Sequence, residues 1–248
     1  MSLRLAILAL IAGLLSPHAA LADDGRWTLD VGAVARVRPD HIGSGHSMLD
    51  WAPVIAGTWG DRVSGSFDDG VKWAAFRHGV TEIGAVAEYR QSFNDRLPVG
   101  VKRPGDAVEI GAYVQRRLKF GILDARVRRA VNSYAGWSGD LSFSTGAHLT
   151  ERTEGGGQVR LGWVDRRFTR QIFGPLAPGS AAPFVTIGAE LDGAHRLTNR
   201  TKLVIALADD HIIGPLPASG LVRSRDITTI SVGLTYRFSG PTHRISTQ

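Results

Sequence analysis

Beyond about residue 25, apolar and polar residues alternate with a period of two far more often than with the period of a helix. The clearest run is Ile227 to Phe238: Ile230, Val232, Leu234, Tyr236 and Phe238 fall on one face, and Thr229, Ser231, Gly233, Thr235 and Arg237 on the other. Val108, Ile110, Ala112 and Val114 likewise oppose Glu109, Gly111, Tyr113 and Gln115. Trp27, Leu29, Val31, Ala33 and Ala35 oppose Thr28, Asp30, Gly32 and Arg36, with Val34 off pattern. Leu141, Phe143 and Ala147 oppose Asp140, Ser142, Ser144, Gly146 and His148, with Thr145 off pattern. Soluble sandwiches alternate too. Here the polar faces mix small residues with scattered charges, as a wet lumen requires, and apparent strands of roughly 9–11 residues match a tilted crossing of a bilayer.

The pattern predicts strands at 26–37, 51–59, 62–67, 71–77, 80–89, 107–117, 120–130, 139–149, 157–166, 182–192, 199–208 and 227–238. Short connections fall at 60–61, 78–79, 118–119, 150–156 and 193–198, and long ones at 38–50, 90–106, 131–138, 167–181 and 209–226. Outer-membrane barrels have short periplasmic turns and longer external loops. Reading 62–77 as two strands around Asp68-Asp69-Gly70 keeps every long loop outside, both termini inside and the strand count even. The predicted fold is therefore all-β, an antiparallel up-and-down transmembrane β-barrel of about twelve strands, with ten as the alternative. Trp27, Trp59, Phe120 and Phe238 would line the periplasmic rim, and Trp51, Tyr89 and Phe184 the outer rim. With Leu118-Lys119 as a two-residue turn, Glu109 falls opposite Arg128, Gly111 opposite Arg126 and Tyr113 opposite Asp124. Glu109 and Arg128 then form an ion pair in the lumen, and Arg129 faces lipid near the outer rim.

The first residues bear on the compartment. Arg4 is the only charge before Asp23, Leu5 to Leu15 is almost unbroken apolar chain, and Ala20-Leu21-Ala22 has the small-x-small pattern of a signal-peptidase site. The apolar run is shorter than the roughly 20 residues of a spanning helix. Residues 1–22 are thus expected to be a signal peptide, 23–238 the barrel and 239–248 a periplasmic C-terminal tail. Losing Arg4 with the leader lowers the formal net charge from +6 to +5. Lys and Arg are dispersed rather than gathered in one stripe, so a nucleic-acid partner is not indicated, and anionic lipid head groups or peptidoglycan fit better. With no cysteine in the chain, disulfides and thiolate metal sites are excluded.

Several segments resemble the MipA/OmpV family of outer-membrane proteins. Arg38-Pro39-Asp40-His41-Ile42-Gly43-Ser44 is similar to the family's P-x-Y-x-G-S signature, with His41 where the family has Tyr. Trp51-Ala52-Pro53-Val54-Ile55 is similar to its following proline-containing strand. Ala107 to Tyr113 and then Ala125 to Val131 are similar to its central hairpin, and Ser231 to Phe238 to its closing G-L-x-Y-x-F strand. The resemblance spans nearly the whole mature chain. It implies a scaffold that brings a murein lytic transglycosylase together with a bifunctional peptidoglycan synthase. Other members are discussed as adhesins or permeability proteins.

Candidate chemistry is sparse. Gly43-Ser44-Gly45-His46, followed by Asp50, brings a hydroxyl, an imidazole and a carboxylate close in sequence, but on one expected loop whose Gly and Ser suit turn geometry. His41 with His46, or Asp209-Asp210-His211, could ligate a divalent ion, but neither has a recognised spacing. Gly155-Gly156-Gly157 precedes no strand-to-helix turn and reads as a flexible periplasmic turn rather than a phosphate cradle. The expectation is no catalytic, cofactor-binding or metal residue and no cofactor. The alternatives are an outer-membrane lipid hydrolase, for which His148 is the in-strand lumen histidine, and a narrow solute channel.

Overall fold

The alternating segments pair in chain order into one closed antiparallel barrel in the computed structural model, which describes residues 27–92, 96, 105–133, 135–173, 182–215 and 222–240. Its strands are β1 (Trp27–Pro39), β2 (Ser47–Trp59), β3 (Val63–Ser66), β4 (Gly70–His78), β5 (Thr81–Arg90), β6 (Ala107–Leu118), β7 (Gly121–Ala130), β8 (Trp137–His148), β9 (Thr153–Val164), β10 (Phe184–Arg196), β11 (Thr201–Ile213) and β12 (Asp226–Ser239). One helix, α1 (Arg166–Phe173), follows β9. β12 returns to β1, which leaves no free edge at the ends of the sheet. Twelve strands, with 62–77 divided into two, agree with the alternation. The expected leader at 1–22 and residues 241–248 of the expected tail lie outside the described residues.

The two faces separate as the period-two pattern requires. Ile230, Val232, Leu234, Tyr236 and Phe238 of β12 point outward and are exposed, while Thr235 faces the lumen and is buried. On β6, Ile110 and Val114 are exposed, whereas Glu109 and Tyr113 are buried. An outward apolar band of this extent is costly in water and matches hydrocarbon. Trp73 and Phe76 on β4 are both exposed despite opposite parity, because a bulge between Ala74 and Phe76 shifts the register there. Inside, glycine lets the wall bend tightly. A Cβ at Gly32 would lie 1.9 Å from the Leu234 carbonyl oxygen, and one at Gly111 the same distance from that of Val127.

The structure corrects several expectations. The β6–β7 turn is Lys119-Phe120, since Leu118 pairs with Gly121. Glu109 therefore lies opposite Ala130, Gly111 opposite Arg128 and Tyr113 opposite Arg126. A slip of two residues keeps every side chain on its face, so apolar patterning cannot detect it. Glu109 and Arg128 remain diagonal neighbours on the lumen face. Phe184 does not join the outer aromatic belt: it is buried beneath α1. Trp27 and Trp59 do meet at the periplasmic rim, stacked at 6.2 Å. Gly155-Gly156-Gly157 lies within β9 and Asp209-Asp210-His211 within β11, so neither is a loop. Part of the expected loop 167–181 is the helix.

The wall is uneven in height. Most strands have 9–14 residues, but β3 has four and pairs only with Ala56–Trp59 of β2. The β3–β4 turn, Phe67 to Asp69, therefore lies well below the outer rim. Its tip bends into the lumen, where Arg126 donates to the Asp69 carbonyl at 3.1 Å and to its carboxylate at 3.2 Å.

Candidate functional site

Mutual ion pairs cross the lumen. Glu109 is fully buried, and Arg90 Nε and Nη2 donate to its two oxygens at 2.9 and 3.0 Å. Arg128 Nε at 3.2 Å and Ser138 Oγ at 2.8 Å complete its shell. Arg128 also pairs with Glu88 at 2.9 Å and Asp140 at 2.5 Å. Arg126 pairs with Asp124 at 2.6 Å and Asp140 at 3.3 Å, and Lys72 reaches Asp124 at 2.6 Å. This mesh joins β4 through β8 and holds the inward-bent turn. Separate clusters place Arg36 and Arg38 on Asp50, Arg160 on Asp210, and Arg237 on Asp30. Each of these acids balances a neighbouring base, so these desolvated charges are paired.

An apolar cap packs at the outer end of the lumen. The Asp165 carboxylate accepts the Phe168 N–H at 2.8 Å and caps the first turn of α1. The helix then buries Phe168, Thr169 and Phe173, and Phe173 meets Phe184 edge-on at 5.7 Å. Ile42 and Val222 pack on this cluster from neighbouring segments. Gly43, at φ +88°, accepts the Arg223 and Ser224 N–H groups at 2.7 and 3.0 Å. Between the cap and the ion pairs lies a cavity of about 370 Å³.

The periplasmic rim carries a feature that alternation does not reveal. Gly146-Ala147-His148-Leu149-Thr150-Glu151-Arg152-Thr153 recurs as Gly193-Ala194-His195-Arg196-Leu197-Thr198-Asn199-Arg200-Thr201, with Arg196 inserted. The two copies fold alike. The Leu149 N–H donates to the Thr153 carbonyl and the Leu197 N–H to that of Thr201, both at 2.9 Å. Thr150 Oγ1 accepts the Thr153 N–H, and Thr198 Oγ1 that of Thr201, both at 3.0 Å. The Arg196 N–H donates to the Arg152 carbonyl at 2.7 Å and ties the two turns together. β9 and β10 are adjacent, so the turns stand about 10 Å apart, two strand spacings. Each presents an exposed leucine beside an exposed arginine. A self-comparison of the sequence would have found this repeat.

The residues with candidate chemistry are not assembled into a site. Ser44 Oγ is bonded to the backbone of His46, accepting its N–H at 2.9 Å, while Asp50 is held by two arginines. His41 pairs with Asp40 at 2.9 Å. Asp210 turns inward to Arg160, whereas His211 lies on the outer face against Asp226. His148 stands at the periplasmic end of β8, opposite Glu154. Among the described residues, no group of three or more His, Asp or Glu is placed to hold a metal ion.

The family model of the MltA-interacting protein MipA matches residues 31–238, from the first strand to the last. The chain belongs to the MipA family. With the outward apolar band and the closed barrel, membership makes this an outer-membrane barrel protein embedded in the lipid bilayer. No curated protein sequence matches the chain. Among solved structures, the NanC porin is 11% identical over 84% of this chain and 98% of its own, with a TM-score of 0.45. An anion-selective porin from Comamonas acidovorans is 11% identical over 87% and 100%, at 0.36. An outer-membrane channel from Pseudomonas putida F1 is 12% identical over 90% and 98%, also at 0.36. These are distant likenesses of fold.

Proposed function

We propose that this protein is a non-catalytic scaffold that holds peptidoglycan-remodelling enzymes, a murein lytic transglycosylase and a bifunctional peptidoglycan synthase, against its periplasmic rim. The observation that carries this reading is the match, over nearly the whole barrel, to a family described as interacting with MltA. The paired turns suit the role, because Leu149 with Arg152 and Leu197 with Arg200 give two apolar-plus-cationic contacts at a fixed spacing, facing the compartment of those enzymes. A lumen crossed by mutual ion pairs, with an apolar cap at its outer end, weighs against a solute channel. A Ser44 hydroxyl engaged by the His46 backbone and an Asp50 carboxylate held by Arg36 and Arg38 weigh against a lipid hydrolase. The leader is removed before Asp23.

The test is a crosslinking pull-down of the full chain from cell envelopes. Peptidoglycan enzymes are expected in the eluate, and the mass of the bait should correspond to a start at Asp23. R152E/R200E and L149S/L197S should each lower recovery about tenfold without altering the heat-modifiable mobility of the folded barrel. An eluate free of such enzymes, or recovery indifferent to all four substitutions, would overturn the scaffold reading. Phospholipid hydrolysis and liposome conductance by the same preparation test the two alternatives.

A further inference from the structure

β3 ends at Ser66, and β4 pairs with β5 only as far as Ala87. The outer half of the wall between β2 and β5 therefore lacks two strands. The parity of β2 beside this notch is fixed by the Phe67 N–H, which donates to the Ile55 carbonyl at 2.7 Å. Pro53, Trp51 and Leu49 follow at steps of two, so their backbone groups face the notch. Among the described residues, no backbone group pairs with them on that side. Proline at 53 agrees, because a strand flanked on both sides would lose a ladder bond there and an open edge does not. Open edges are not tolerated against hydrocarbon unless a cavity or another group lies behind them.

A cavity does lie behind it. Phe67 and Tyr89 meet across the notch at 5.7 Å, and Arg36 Nη2 donates to Gln91 Oε1 at 3.0 Å just inside. All four line the 370 Å³ chamber, a size in the ordinary range of small-molecule sites. Its roof is apolar, formed by Val164, Phe168, Phe184 and Ile227 of the capped mouth. Its arginines are each held by acids. Asp68 differs. It lines the chamber at the tip of the inward-bent turn, and among the described residues it makes no hydrogen bond or ion pair.

We propose that the notch is a lateral gate through which an amphipathic amine passes from the outer leaflet into the lumen, its ammonium held by Asp68 and its tail against the apolar roof. The apolar cluster of the cap packs over the chamber from its outer end, and the notch gives it an entrance from the side. An ammonium suits the site better than a carboxylate, because the guanidinium groups are already occupied and the Asp68 carboxylate is not. The inference is independent of the scaffold reading.

A dodecylamine carrying a terminal diazirine tests it with the full-length protein in phosphatidylcholine liposomes. After irradiation, label is expected on Phe168, Phe184 and Ile227 as well as on lipid-facing residues. D68N should lower the lumen label about tenfold, the worth of one charge-assisted hydrogen bond, and the matching dodecanoate probe should label the lumen as weakly as that. The absence of native cysteine permits a gate arm. In W51C/Y89C, a cleavable bis-maleimide bridge across the notch should abolish lumen labelling, and cleaving the bridge should restore it. Heat-modifiable mobility checks that each variant is folded. Label confined to lipid-facing residues, equal lumen label in D68N or from dodecanoate, or labelling unaffected by the bridge would each overturn the proposal.

Discussion

Glu109→Ala is expected to destabilise the barrel by about 3–5 kcal/mol, the cost of stranding buried charges when one partner is removed. The carboxylate is fully buried and receives both nitrogens of the Arg90 fork, the Arg128 Nε–H and the Ser138 hydroxyl. Removing it leaves the Arg90 and Arg128 guanidinium groups, on the two strands that flank β6, without the carboxylate between them, and one hydroxyl without its acceptor. Glu109→Gln keeps the shape and the Ser138 contact and should fall between wild type and alanine. Asp30→Ala is the control. Asp30 also receives a two-nitrogen fork, from Arg237 at 2.7 and 2.6 Å, but that pair is partly exposed near the periplasmic rim. Water replaces the lost partner there, and the expected cost is about 0–1 kcal/mol. The measurement is the urea midpoint of the folded band in liposomes. Equal midpoints for Glu109→Ala and Asp30→Ala would show that the lumen around Glu109 is as wet as the rim, and that burial does not set its energetics.

The fold was legible where residues on the two faces differ in kind. β12 could be read from Ile230 to Phe238 because lipid contact and lumen contact demand opposite chemistry at alternate positions. The strand count was legible because loop lengths alternate, which fixed the division at Asp68-Asp69-Gly70. The β6–β7 register was not. Apolar patterning has a period of two, so a turn at 118–119 and one at 119–120 with a shifted partner are equivalent to it, and Phe120 looks like a strand residue although it is an exposed turn residue. The Glu109–Arg128 pair survived the error because long side chains also meet diagonally across strands. Phe184 misled because an aromatic at a strand's outer end suits both a lipid belt and a plug. Only the helix packed on it decides, and that helix had a signal in Asp165 placed before Phe168 and Phe173. The rim repeat was fully present in the sequence. Alternation passes over it because its two copies lie in turns, and the inserted Arg196 changes the parity of the second histidine relative to the first.

Phe173→Ala is expected to unseat the cap while leaving the barrel closed. Phe173 is fully buried against Phe184, and truncating a buried phenylalanine typically costs about 3–5 kcal/mol. α1 is joined to the wall by side-chain packing, with no place in the strand ladder, so the loss falls on a local opening rather than on global unfolding. Thr186 on β10 lines the chamber under this cap, and the chain has no cysteine of its own. In a T186C background, a water-soluble, membrane-impermeant thiol reagent added outside should react more than about tenfold faster once Phe173 is alanine. External protease should then also cut within 165–183 while the heat-modifiable mobility stays that of the folded barrel. An unchanged thiol rate would mean that the mouth is sealed by something other than the Phe168–Phe173–Phe184 cluster. Loss of the folded band would mean that the cap is part of the barrel's cooperative core.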